Sequence, residues 1–168
     1  MTMCRDNGLE GTTVHSEDEN QHLSLTRNPT WSYNNTNYYL ITPTCVSGSA
    51  CTLTCTQNKL QLTTIHSAKE QAKLSQKIAQ LAKCASVMIG MANVIAGTRY
   101  RNIWRDGSAV DYTYWANGEP SYIIPHEYTT KIVPENCTVM AKDGRWNDVI
   151  CPATDPTTMG ACVCMKRC

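Results

Sequence analysis

Glu119, Pro120 and Ser121 follow closely on Trp115 and Gly118 in the stretch WANGEPSYIIPHEY, which runs from Trp115 to Tyr128. An acid, a proline and a small hydroxyl in a loop offer hard oxygens and hydrogen-bonding groups, the chemistry that can hold a metal ion and a sugar. Other reactive residue types are present without a reactive pattern. No G-x-S-x-G or H-E-x-x-H run occurs, so no enzyme is expected. His66 and Glu70, four apart at a helix start, read as a solvated face, and His126 as an exposed loop residue. Trp104, Trp115 and Trp146 read as core and loop packing.

The cysteines set the chemical compartment. Ten Cys in 168 residues is an even and high number, which points to disulfides and an oxidising environment. Zinc modules favour C-x2-C pairs, and the close pairs here are Cys51 with Cys55 and Cys162 with Cys164. The opening MTMCRDNG has no apolar signal-peptide core. The expectation is a secreted or extracellular chain whose signal peptide is absent from these residues. A formal net charge of +1, with Lys and Arg dispersed along the chain, gives no footprint for nucleic acid or a polybasic membrane patch. The apolar run VMIGMANVIAG, Val87 to Gly97, is too short to span a bilayer and is broken by Asn93.

The length suits one domain with a real core. Residues 1–30, containing SEDENQH, are polar and aperiodic and are expected to form a loosely ordered N-terminal segment. From Trp31 the pattern changes. YYLIT, Tyr38 to Thr42, reads as a strand, and Cys51 and Cys55 share a face if their segment is helical. Ser67-Ala-Lys-Glu70 is a capping box, and Ala68, Ala72, Ile78, Leu81 and Ala85 continue at helical spacing, predicting a helix over 67–84. Val87 to Met91 reads as a short buried strand. Residues 92–136 form a long loop-like region of the kind that carries function. CTVMAKDGRWNDVIC reads as a hairpin about a two-residue Asp143-Gly144 turn. That fold brings Cys137 within about one residue of opposite Cys151, close enough for a bridge. GACVCMK reads as a last strand with Cys162 and Cys164 on one face. The whole is an α+β domain over residues 31–168.

In order, C…LTTIHSAKEQ…MIGM…W-x-DGS…DYTYW-x-x-GEP…ENC…GRWNDVIC…CVCMK resembles a C-type lectin-like domain over about residues 31–168. The resemblance implies a double-loop fold of two helices and small antiparallel sheets, stabilised by disulfides. It implies a bridge from the first helix to the last strand, Cys55 to Cys164. It also implies a bridge at the base of the long loop, Cys137 to Cys151. The remaining six Cys allow fifteen pairings; shared faces suggest Cys51 with Cys162, and Cys4 with Cys168 is the further guess.

The resemblance further implies one calcium ion (Ca2+) in the long loop, with Glu119, Ser121, Glu135, Asn147 and Asp148 as both its ligands and the carbohydrate-binding residues. Glu127 competes with Glu135, which keeps the E-x-C frame. A cis Glu119-Pro120 bond is implied too. Tyr122 is not an acid, so the auxiliary calcium site of some relatives is not expected. Calcium takes six to eight hard oxygens, and three carboxylates, one amide and backbone or water oxygens suit it. A serine hydroxyl is shorter than an amide and has one donor, so a weakened ion site and mannose-type sugar recognition of altered specificity are expected. The partner is then a glycan or glycoprotein. The alternative is a calcium-independent protein-binding module using the inserted Ile123, Ile124 and Tyr128. Asn34-Asn35-Thr36 is a glycosylation acceptor, whereas Asn136-Cys137-Thr138 is discounted because Cys137 is expected in a bridge.

Overall fold

A computed structural model describes residues 29–97, 99–125, 132–151 and 159–168. Most of the expected N-terminal segment, and Cys4, Glu127, His126 and Tyr128, lie outside the described residues. The two ends of the described chain meet in one sheet. Strand β1 (Trp31–Tyr33) turns through Asn34 and Asn35, both at positive φ, into β2 (Thr36–Val46). β2 pairs antiparallel with β11 (Gly160–Arg167), the last strand, from Thr36↔Arg167 to Val46↔Gly160. The sheet order is β1-β2-β11-β4-β9-β10, with the short β3 (Gln61–Leu62) also on β11. Here β4 is Ser86–Ile89, β9 Cys137–Ala141 and β10 Trp146–Val149.

Helix α1 (Gly48–Gln57) has little amphipathic drive and is fixed by capping and covalent ties. Ser47 caps its first turn, accepting from the Ala50 N–H. Thr52, Thr54 and Thr56 donate back to carbonyls four residues earlier. One helical turn separates Cys51 from Cys55, and one strand step of two separates Cys162 from Cys164. These spacings match, and the structure joins Cys51 to Cys162 and Cys55 to Cys164. Gly48 lets the helix lie against the loop base: a Cβ there would sit 2.5 Å from Cys137 Sγ.

Helix α2 (Ala68–Leu81) starts as the capping box predicts, with Ser67 Oγ accepting from Glu70 N–H at 3.2 Å. It buries Leu74 and Ile78 against the tryptophan-rich core. It stops three residues short of the expected end. Ala82 turns extended, Lys83 N–H donates to Pro43 O, and Cys84 is drawn into a buried bridge with Cys45 on β2. Glu70 is not on a solvated face. It is 6% exposed, accepts from His66 N–H at 2.7 Å and pairs with Arg167 at 3.4 Å.

The β9–β10 hairpin pairs Cys137 with Val149, so Cys151 lies two residues past opposite, not one. Ala141 and Arg145 close a three-residue connection in which Gly144 takes φ +88°, a loop length that shifts the register relative to a two-residue turn. Cys137 and Cys151 are nonetheless bridged, Cα to Cα 5.0 Å. Cys168 is disulfide-bonded as well. The region expected as loop contains two small sheets: β5 (Met91–Ala96) with β6 (Arg99–Trp104), and β7 (Ile123–Pro125) with β8 (Ile132–Pro134). Strand pairing satisfies backbone groups that a long bare loop would have to hydrate.

Candidate functional site

The polar cluster rests on an aromatic floor. Trp104 and Trp146 are 1% and 0% exposed and meet edge-on at 5.6 Å, and Trp115 and Tyr112 each pack edge-on against Trp146. Trp146 Nε1–H donates to Gln71 Oε1 at 2.8 Å, which ties this floor to α2. Strand alternation along β10 then turns Trp146 and Asp148 inward and Asn147 outward.

Asp148 is fully buried and surrounded by donors. Its Oδ1 accepts from Ser121 N–H at 3.0 Å. Its Oδ2 accepts from Tyr122 N–H and from Asn93 Nδ2, each at 2.7 Å. The peptide bond before Pro120 is cis, and Ser121 N–H also reaches Glu119 Oε2 at 2.8 Å. Ser121 Oγ donates to Glu135 Oε2 at 2.7 Å. The structure thus gathers Glu119, Ser121, Glu135 and Asp148 around one short backbone turn. Asn147 is exposed, and its side chain joins none of these bonds.

Asn93 is the residue the sequence reading missed. It is 1% exposed and donates to Glu135 O as well as to Asp148. Its own oxygen accepts from Asn102, its cross-strand partner, at 2.6 Å. Tyr122 OH donates to Asn102 at 3.3 Å, and the Tyr122 ring stacks on Tyr100 at 4.8 Å. A ring of hydrogen bonds therefore runs from the β5–β6 hairpin to Asp148 and back through Tyr122. The sequence held one signal for it, a lone amide inside an apolar run.

The electrostatics are unbalanced. Burial pushes the Glu119 carboxyl above its ordinary value. The neighbouring Asp148 carboxylate pushes it further, against the opposing Ser121 donors. Burial likewise raises Glu135, with Asp148 and Glu119 adding to the rise and the Ser121 hydroxyl opposing it. Among the described residues no Lys or Arg pairs with any of the three acids. The donor set is hard oxygen throughout, the chemistry that suits calcium. Among the described residues, the three metal-type side chains whose donor atoms all lie within 4.8 Å of one another are not these acids but Cys51, Cys55 and Cys162, and their sulfurs are spent in bridges.

One further alignment was not legible in sequence. Ser108 Oγ lies 3.2 Å from His66 Nε2, and His66 Nδ1 lies 2.7 Å from Asp111 Oδ1. That order imitates a nucleophile, base and orienter. The Ser108 hydroxyl, however, donates to Asp106 Oδ1 at 2.5 Å, and its one proton cannot also serve the imidazole. The group ties the start of the loop segment to the head of α2.

The family model for the lectin C-type domain matches residues 45–166. The chain belongs to the C-type lectin family. Domains of this family are generally non-enzymatic binding modules. Among relatives, this C-type lectin domain is 36% identical over 110 residues to the human low affinity immunoglobulin epsilon Fc receptor. The match covers 66% of this chain but 29% of the receptor's length. The carbohydrate-recognition domain of cow CD23, solved in the presence of a GlcNAc2Man3 oligosaccharide, superposes with a TM-score of 0.61. It is 24% identical, over 81% of this chain and 91% of that one. A calcium-independent type II antifreeze protein has the same fold, with a TM-score of 0.57 and 24% identity over 82% and 90% of the two chains. The likeness to these structures is one of fold. No helix among the described residues is long and apolar enough to cross a membrane.

Proposed function

We propose that this domain binds glycans in a calcium-dependent manner through the face built by Glu119, Ser121, Glu135, Asn147 and Asp148. The observation that carries the reading is the convergence of three carboxylates on Ser121 without a cationic partner among the described residues. When bound there, calcium would supply positive charge and open coordination positions for vicinal sugar hydroxyls. The chain's own residues do the rest. Glu119 and Glu135 accept from sugar hydroxyls, and Asn147, exposed at the rim, is free to donate and accept. Ser121 spends its hydroxyl on Glu135, so it brings less to ion and sugar than an amide would. Altered choice among mannose-type and galactose-type hydroxyl arrangements follows. The bridged cysteines support an extracellular setting. Asn34, exposed on the β1–β2 turn, would then carry the glycan of the Asn34-Asn35-Thr36 acceptor.

A second reading, a calcium-independent protein-binding module, is favoured by one observation. Asp148 already accepts three protein N–H donors, so the loop is braced without an ion. A glycan array probed with calcium and again with chelator separates the two. Calcium-dependent retention supports the first reading. An array that stays blank with calcium present overturns it.

A further inference from the structure

The lysines are scattered in sequence but not in space. Lys69, Lys73 and Lys77 recur every four residues on α2 and so stand in one row, about 6 Å apart along the axis. Like charges at this spacing repel, and the helix carries no acid on that face to relieve them. Its one acid, Glu70, is turned inward and engaged by His66 N–H and Arg167. Among the described residues, none of the three lysines forms an ion pair; Lys73 reaches only the neutral Gln76 amide at 3.4 Å. Beside the row runs an open groove of about 530 Å³, bounded by Tyr33 from β1 and by Lys69, Ala72, Lys73 and Gln76. None of these residues belongs to the Glu119–Asp148 network.

We propose that this groove and lysine row form a second ligand site, which docks a sulfated linear polysaccharide. Point-charge ammonium groups suit sulfates repeated along a chain, and the half-buried Tyr33 ring offers an apolar wall to a sugar ring. The small Ala72 leaves the groove floor open. A lipid surface fits less well. The apolar face of α2 is spent on the core, and the one exposed large apolar side chain of α2 is Leu81, at the end of the row, too little to anchor a helix in a bilayer.

The test uses the full chain, in chelator, with a heparin dodecasaccharide, the same oligosaccharide desulfated, duplex DNA and phosphatidylserine vesicles. Chelator keeps this test independent of the loop-face reading. The expected result is binding to the sulfated oligosaccharide only. Its affinity should fall about tenfold or more in Lys69→Gln/Lys73→Gln/Lys77→Gln, and wild-type affinity should fall steeply with salt, because releasing the polyanion's counterions gains less as salt rises. A control removing three cations elsewhere, Lys59→Gln/Lys142→Gln/Arg145→Gln, should retain binding, and both variants should unfold at the wild-type temperature. Tyr33→Ala should weaken binding severalfold. No binding by the wild type, equal loss in the two triple variants, or equal binding to DNA or vesicles would overturn the proposal.

Discussion

The two ends of this domain are held by different physics. At the closed end, β2, β11 and α1 are joined by bridges whose sulfurs are mostly buried among apolar side chains. At the loop end, the segment around Ser121 is held by hydrogen bonds that converge on one buried carboxylate. Covalent and apolar ties fix a frame that does not respond to protons or calcium. A polar network around unneutralised acids responds to protons and ions. The responsive chemistry is confined to the loop end, and the frame is indifferent to it.

Breaking the frame should produce the largest effects, and they should not add. Either of the bridges Cys51–Cys162 and Cys55–Cys164 closes a loop of more than 100 residues, with sequence separations of 111 and 109. With one in place, the other closes only about eight residues. Cys55→Ala/Cys164→Ala should therefore cost about 2–3 kcal/mol, and removing both bridges about 5 kcal/mol more, in urea unfolding. Equal, additive losses would contradict the shared-loop argument.

Next in size is the brace of the loop. Asn93→Leu leaves Asp148 one donor short and strands Asn102 and the Glu135 carbonyl. A loss of about 2–3 kcal/mol is expected in chelator. Amide exchange at Ser121 and Tyr122 should speed up while β11 stays protected. Ser121→Asn acts on the ion instead. It should tighten calcium by about three- to tenfold in titration calorimetry, with little change in stability without the ion.

The smallest effect is on pH. Glu119 and Glu135 sit above their ordinary value of 4.5 in the folded chain. The folded state then binds protons more tightly than the unfolded one. Their contribution is complete below 4.5 and is lost as pH rises through the raised folded values. In chelator, the unfolding temperature of Glu119→Gln should accordingly fall less than that of the wild type across this range. Calcium should reverse the trend, since the ion needs the deprotonated acids.

The elements that announced themselves in sequence were those with a local code. Ser67 and Glu70 marked the head of α2, and the Asp143-Gly144 pair marked a hairpin. The Cys spacings on helix and strand matched each other. Elements set by distant partners did not show. The end of α2 is fixed by Cys45, almost forty residues away, and the hairpin register by the φ of Gly144. At the site, Glu119, Ser121, Glu135 and Asp148 were named only through the family resemblance, and these four are hydrogen-bonded into one cluster. Their brace was not named, because Asn93 looks in sequence like a polar break in an apolar run. The four-residue spacing of the lysine row lay inside the predicted helix, but the groove beside it did not show, because Tyr33 comes to it from β1.

The most direct test of the loop-face account is thermal unfolding with millimolar calcium and with chelator. Only the folded state carries the gathered carboxylates, so calcium at a hundred times its dissociation constant should add about 2.7 kcal/mol and raise the midpoint. Glu119→Gln should abolish most of that rise. An unchanged midpoint at millimolar calcium would contradict the account and leave a loop braced by Asn93 and Asp148 alone.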